Sequence, residues 1–358
     1  MQLVRQNEEM MTRVTAKGGR GGTGERRGAD AATSDRQSAG ASAAAAVAAP
    51  RARGRRGRAV LAALLVGVVV CGCTAGTGEV PRPAGAHPGQ PGAPGHGGPD
   101  AQKEAPAGMI AGYADNLRRN QAARAIAAKK WGLDATPLPA PRPPSVKPVI
   151  TTRQGFEVED SEDLPPIFTT VPTKDKVVFL TIDDGSEKDP ELLRMMSELK
   201  IPYSAFLSDY VIKDNYGYFK QMQDQGVTLN NHTLNHPYMP GLSYEEQKRE
   251  ICGQQDKLQK RYGHRPTLFR PPFGNYNRDT LVAAKECGVK AAPIWASEAF
   301  PDHMEWREWD KDIHPGDIIL THFRGQDEWP GSMPDMIRHV MKVITDKGYS
   351  VGRLEDYV

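Results

Sequence analysis

The C-terminal half of the chain predicts an α/β fold, a closed but incomplete barrel of parallel strands, preceded by a disordered N-terminal leader and linker. Three observations carry this expectation. Ile, Leu, Val, Phe and Tyr concentrate in that half, from about residue 165 to 358. There, short apolar runs alternate with longer amphipathic segments, the pattern of strands joined by crossover helices. By contrast, residues 15–58 and 74–107 are rich in Gly, Ala, Pro and Arg and nearly lack large apolar side chains. Such segments cannot bury enough surface to offset chain entropy. Six or seven strand–helix units over about 190 residues suit an incomplete barrel better than a full eightfold one, with an open doubly wound sheet as the alternative.

The elements follow in order. Lys176–Ile182 (KVVFLTI) reads as a buried strand, and Pro190–Leu199 as a helix with Asp189 as N-cap and Pro190 at its first position. Tyr203–Leu207 is a strand, Tyr218–Gln225 a helix and Val227–Asn231 a strand. Ser243 and Glu246 form a capping box that opens a helix over Tyr244–Tyr262. Thr267–Arg270, Ala291–Trp295 and Asp317–His322 are further strands, with helices near Arg278–Cys287 and Met333–Lys347 and a last strand at Tyr349–Arg353. Upstream, residues 108–150 hold one short helix, about Met109 to Trp131, and a Pro-rich connector from Pro137 to Pro148. Ile110, Tyr113, Leu117 and Ile126 lie at helix-compatible spacing there.

The N-terminal region carries an export pattern. Residues 1–58 form a basic leader ending in Arg51, Arg53, Arg55, Arg56 and Arg58, and Ala59–Val70 is a twelve-residue apolar run. Basic flank, short apolar stretch and small residues describe a signal peptide, and the run is too short for a bilayer span of about 20 residues. Val70-Cys71-Gly72-Cys73 resembles a lipobox, which makes residues 59–73 a lipoprotein signal with Cys73 as the lipidated residue; an ordinary cleaved signal is the alternative. We expect the true start to lie downstream of Met1. Residues 74–107 then tether the domain to the membrane. The protein is expected outside the cytoplasm, anchored on the extracytoplasmic face or secreted.

An oxidising compartment changes how cysteine is read. Cys252 and Cys287 are the two cysteines in the folded half, and we expect a disulfide between them, the alternative being two buried free thiols. The net charge of +2 is close to balanced and no basic stripe interleaved with aromatics occurs in the C-terminal half, which argues against nucleic acid as a partner.

Four polar clusters fall at the ends of predicted strands, where α/β folds place their sites. Asp183-Asp184-Gly185 follows KVVFLTI. Two adjacent carboxylates are costly to bury together, and a cation resolves the conflict if one ligates it while the other stays free as a base; a solvated turn is the plainer reading. His232-Thr233-Leu234-Asn235-His236 puts two histidines four apart, on one side of a helical turn, and with Asp184 supplies three N/O ligands suited to zinc or a similar divalent ion. Three protein ligands leave a position open, as catalytic sites do. Arg270-Pro271-Pro272-Phe273-Gly274 stiffens a strand exit, and Arg270 can pair with Asp183 and keep it ionised; alone it would read as a rigid surface loop. Leu320-Thr321-His322 ends a strand, and its histidine fills the vacant role of general acid.

Together these clusters resemble the polysaccharide deacetylase family, the carbohydrate esterases with NodB homology. Thr181-Ile182-Asp183-Asp184-Gly185, His232 to His236, Arg270 to Gly274 and Leu320 to His322 match its motifs in order. The resemblance covers about Lys176 to Val358. It implies a distorted (β/α) barrel with a divalent metal, zinc first and cobalt or another ion second, on Asp184, His232 and His236. It implies Asp183 as general base, Arg270 positioning it, the Phe273 backbone N–H as oxyanion donor and His322 as general acid. Leu320 and Trp295 would line the substrate pocket. The substrate implied is an N-acetylated glycan, peptidoglycan or chitin-like, and the catalytic domain is expected to be monomeric.

One segment departs from the pattern. The family usually carries a Trp and two Asp between its third and last motifs; here Trp295 is followed by Glu298 at the first acidic position and Pro301 at the second, with Asp302 one residue late. Glu298 or Asp302 is expected to substitute as support for His322. The change leaves open a weakly active or inactive carbohydrate-binding homologue, or an O-acetyl esterase on the same scaffold.

Overall fold

The computed structural model describes residues 107–358. The leader, the apolar run with Cys73 and most of the linker lie outside the described residues. Among the described residues no helix is long and apolar enough to cross a membrane.

The fold is built around β2 (Val177–Asp184), which is buried along its whole length. Its side chains alternate between two cores, as the two-residue period of a strand requires. Val178, Leu180 and Ile182 join the outer core beneath the helices, while Val177 and Phe179 join the core inside the barrel. Thr181 and Asp183 continue that inner face to the end of the strand.

Parallel neighbours set the register of the site. On one side lies β3 (Ser204–Leu207), and beyond it β4 (Thr228–Asn231). On the other side lies β8 (Ile318–His322), whose register sets His322 opposite Asp183. With β6 (Ser297–Ala299) and β7 (Met304–Trp306), the order β4-β3-β2-β8-β6-β7 forms a seven-stranded sheet with β9 (Ser350–Gly352) paired to the start of β2. Beyond β4 the wall continues through single parallel bridges, Asn231 to Phe269 and Leu268 to Ala291, to the pair β1 (Ile167–Phe168) and β5 (Ala292–Pro293). The Ile294 N–H extends that pair by donating to the Phe168 carbonyl, and the Ile318 N–H donates to the Thr169 carbonyl, which ties the pair back to β8. The result is the incomplete, distorted barrel that the sequence predicts.

Helices cover the outside. α2 (Pro190–Leu199) starts as expected, with Asp189 accepting from the Glu191 N–H. α3 (Asp209–Ile212), α4 (Tyr216–Asp224), α5 (Tyr244–Tyr262), α6 (Arg278–Glu286) and α7 (Met333–Asp346) follow, and the Ser243–Glu246 capping box is formed.

Three features depart from the plain strand–helix pattern. Thr267–Arg270 makes only single bridges rather than a strand, because Pro266 before it and Pro271-Pro272 after it remove ladder donors. After Trp295 the chain forms an antiparallel hairpin, β6 (Ser297–Ala299) against β7 (Met304–Trp306), instead of a parallel unit. The upstream helix, α1 (Ala107–Lys130), docks through Ala127, Ala128 and Arg124 rather than the apolar stripe. Leu117 and Ile126 of that stripe are exposed. Small side chains permit close approach, and the Arg124 guanidinium donates to the carbonyls of Leu199, Pro137 and Leu138 at 2.7–2.9 Å. Those carbonyls include the unpaired end of α2.

Candidate active site

The C-terminal ends of β2, β3, β4 and β8 meet around a small cavity of about 50 Å³. Nine of its ten lining residues are ones the sequence singled out, and the tenth is Arg324. With about 10–15 Å³ of such space needed per water, the cavity has room for a few waters and suits a group of a few atoms.

Asp183 and Asp184 are consecutive, yet both face the cavity. Strand alternation would send them apart, but Asp184 has a φ of 74° and turns the chain back. Gly185 then takes a φ of 98° where a Cβ would lie 2.5 Å from Ile212, so only glycine fits. Thr233, His236 and Phe273 also have positive φ. For a β-branched residue such as Thr233 this is a true outlier. Backbone strain of about 1–3 kcal/mol per residue persists only where surrounding structure imposes it, and here it gathers at one place.

The histidines are brought together differently from the helical turn expected. Residues 232–236 form an irregular loop rather than a helix. The strained conformations of Thr233 and His236 aim the two imidazoles at each other, ring centroids 4.8 Å apart. Asn231 accepts from the Thr233 N–H, Thr233 from the His236 N–H, and Glu250 of α5 holds Asn235 from outside. His232 Nδ1 lies 2.7 Å from the Arg270 carbonyl, which can only accept, so Nδ1 carries the proton and the bare Nε2 faces the aspartates.

Both Nε2 atoms converge on Asp184 Oδ1, at 3.5 Å for His232 and 3.4 Å for His236. That oxygen is buried and has no hydrogen-bond partner. A buried carboxylate oxygen without a donor is costly, whereas ligands about 2.0–2.1 Å from one tetrahedral ion sit at roughly this mutual spacing. The three residues are the group among the described residues that could hold a metal ion, with donor atoms within 4.8 Å of one another. Burial opposes ionisation of Asp184, but the imidazoles of His232, His322 and His236 around it hold its carboxyl well below the usual range. Burial pushes His236 down to about 3, which keeps it neutral. Anionic carboxylate and neutral imidazole are the states that ligate.

Asp183 is held from behind. Arg270, fully buried, donates from Nη1 to Asp183 Oδ1 at 2.7 Å and to Thr181 Oγ1 at 2.9 Å, and from Nε to the Pro293 carbonyl. Its guanidinium stacks 4.3 Å from the Phe206 ring centre. Burial raises the Asp183 carboxyl, while the charges of Arg270 and His232 act against that rise, as the expected Arg270–Asp183 pairing requires.

His322 meets Glu298, with Nδ1 3.1 Å from Oε1. Burial alone would lower His322, but the Glu298 hydrogen bond and charge raise it overall. Asp302 is not at the site: it is exposed on the β6–β7 turn and pairs with His303 at 2.8 Å. The departure from the family segment is therefore covered by Glu298 alone.

Leu320 and Trp295 are buried walls of the cavity. Gly274, at φ 67°, lies under Trp295, whose ring a Cβ would meet at 3.1 Å. Phe273 packs edge-on to His236, ring centroids 4.6 Å apart. Arg324 was missed by sequence reasoning. Its Nη2 lies 3.5 Å from Asp184 Oδ2 and its other arm pairs with Glu328. Its position two residues beyond His322, on the same side of an extended chain, was the available signal. Cys252 and Cys287 are disulfide-bonded away from the cavity, joining α5 to the end of α6 with a Cα separation of 5.0 Å. Cys73 lies outside the described residues.

Residues 170–292 match the family model for polysaccharide deacetylase. Over 196 residues the chain is 38% identical to an uncharacterised protein of Streptomyces coelicolor, covering 54% of this chain and 78% of that one. It belongs to the polysaccharide deacetylase family. A peptidoglycan-N-acetylglucosamine deacetylase of Bacillus cereus is 29% identical over 171 residues, covering 44% of this chain and 77% of the relative. Among solved structures, a family 4 carbohydrate esterase from Bacillus anthracis matches 53% of this chain and 86% of its own at 27% identity, with a TM-score of 0.44. This polysaccharide deacetylase is thus a hydrolase of a metal-dependent family, with Asp184, His232 and His236 as its candidate metal group.

Proposed function

We propose that this polysaccharide deacetylase removes N-acetyl groups from amino sugars of the cell wall, peptidoglycan first and chitin-like oligomers second. Relatives named as peptidoglycan N-acetylglucosamine and N-acetylmuramic acid deacetylases and as a chitooligosaccharide deacetylase support that order. The observation that carries the reading is the unpartnered Asp184 Oδ1 facing two imidazole nitrogens, with Asp183 and His322 on either side.

Asp184, His232 and His236 would hold a divalent ion, zinc in the first instance. When bound, it supplies Lewis-acid charge to the acetyl carbonyl and acidifies water. Asp183, oriented by Arg270, takes the proton of the attacking water. Oxygen adds to the acetyl carbon, and the Phe273 N–H, on a turn of positive φ, is the proposed donor to the developing oxyanion. His322 is the proton donor to the leaving nitrogen, its other nitrogen held by Glu298. The C–N bond breaks, leaving acetate and a free amine. Leu320 and Trp295 enclose the methyl group, which a cavity this small admits and a larger acyl group would overfill.

Export completes the reading: lipidation at Cys73 would hold the domain on the extracytoplasmic face, where its polymer lies. Acetate release from N-acetylated glycans with and without chelator tests the chemistry. Release that EDTA abolishes and zinc or cobalt restores is expected; metal uptake with no acetate from any glycan would mean a binding protein instead. Replacement of Cys73 by Ser should release the chain from membranes, and continued anchoring would refute lipidation.

A further inference from the structure

A second, larger cavity of about 500 Å³ lies away from the hydrolytic cluster, between the chain around β1 and the segment that follows β7. It is lined by none of the residues of the first cavity. Asp317, at its inner end, precedes β8, while His322 ends that strand, so the two cavities lie toward opposite ends of β8. Its size is in the range of small-ligand sites, about 300–1,000 Å³.

Its polar lining is mutually braced. Arg153 pairs with Glu308 and donates to Thr169 Oγ1 at 2.6 Å. Thr170 donates to Asp317 Oδ1 at 3.0 Å, and the other oxygen of Asp317 accepts from the His314 N–H at 2.8 Å. The His314 ring reaches Asp310 at 3.0 Å. Donors and acceptors therefore stand in fixed positions around open space, which reduces the ordering cost of binding. On the rim stands Trp309, 91% exposed, the most exposed large apolar side chain among the described residues. An indole in water beside a polar cavity has an apolar face available, and that face is electron-rich.

A rigid polar cavity with an aromatic platform at its edge suits a sugar. The C–H bonds of a pyranose ring pack on the indole face while its hydroxyls meet the carboxylates, guanidinium and imidazole. Three carboxylates against one guanidinium and one imidazole disfavour an anionic ligand and tolerate a neutral or amine-bearing one. Arg307 links the two regions: it donates to the Trp295 carbonyl at 2.8 Å, lies over the Trp295 ring and shares the Phe156 ring with Arg153, which lies 5.6 Å from its centre.

The geometry points to a secondary glycan-binding subsite in this cavity, with Trp309 as its platform, holding a neutral or amine-bearing sugar of the polymer away from the scissile unit. The choice of a glycan as occupant rests on the deacetylase reading; the cavity does not. Such a subsite would retain the enzyme on long insoluble chains and leave short soluble substrates unaffected.

The test compares the full-length wild type with Trp309→Ala, Trp309→Phe and Glu308→Gln. Retention on insoluble chitin and on peptidoglycan sacculi is measured beside acetate release from a soluble N-acetylglucosamine disaccharide. Trp309→Ala should weaken retention about tenfold with disaccharide turnover unchanged. Trp309→Phe should restore most of it, and polygalacturonate should not compete. Retention unchanged in Trp309→Ala would overturn the assignment, and so would an equal fall in disaccharide turnover, which would mark general damage. A wild type that is retained through Trp309 yet releases no acetate would instead count against the hydrolytic reading and leave the subsite standing.

Discussion

The two halves of the site are built by different means. On one side, β2, β3 and β4 are consecutive parallel strands, and Asp183, Asp184, His232 and His236 follow directly from their ends. On the other side, His322 ends β8 but its partner Glu298 arrives on an antiparallel hairpin, β6–β7, that interrupts the strand–helix alternation. The first half is held by strained backbone and buried hydrogen bonds. The second is held by the single carboxylate of Glu298. The candidate metal side is thus constrained by backbone geometry, whereas the proposed acid side depends on one side-chain contact.

The sharpest way to separate the halves is to disable each in turn. Asp183→Asn removes the proposed base and should reduce acetate release by about 10²–10⁴-fold with metal content unchanged, measured by turnover and by metal analysis of the purified chain. His236→Ala should lower activity comparably but also abolish stoichiometric zinc; retained zinc would break the assignment of that half to metal binding.

Effects on the acid side should be smaller and should depend on pH. Glu298→Gln is expected to cost about 10–100-fold in kcat. In the proposed mechanism protonated His322 is the donor, and Glu298 raises its pKa, so losing that carboxylate should move the high-pH limb of the rate profile to lower pH. An unshifted limb would remove Glu298 from its supporting role. Asp302→Asn, by contrast, should leave both rate and profile at wild-type values, since Asp302 pairs only with exposed His303.

A stability measurement probes how the metal side is braced. Cys252 and Cys287 are 35 apart in sequence and link α5, which carries Glu250, to the end of α6. Cys252→Ser with Cys287→Ser should cost about 2–4 kcal/mol of stability, seen as a lower Tm, while turnover at low temperature persists. An unchanged Tm would show that helix packing alone supports the histidine loop.

The long elements were legible in the sequence because their pattern is local. Pro190–Leu199 and Tyr244–Tyr262 start and stop where capping residues say, and KVVFLTI is a buried run that only a strand accommodates. Strands of two or three residues, such as β1, β6 and β7, have no period to detect, and their existence depends on partners far along the chain. Arg324 was hidden for a similar reason: an arginine in a polar loop looks solvated until the fold sets it beside Asp184.

By itself, then, the sequence determined the α/β class, the family and the residue types gathered at strand ends, because hydrophobic period and turn chemistry are written in neighbouring residues. Tertiary structure alone decided how those residues face one another. Positive φ at Asp184, Thr233 and His236 turns side chains inward against local preference, and only a packed barrel can impose that strain. It also decided between Glu298 and Asp302, which differ by four positions in sequence but lie on a β6 flank facing His322 and on an exposed turn, respectively.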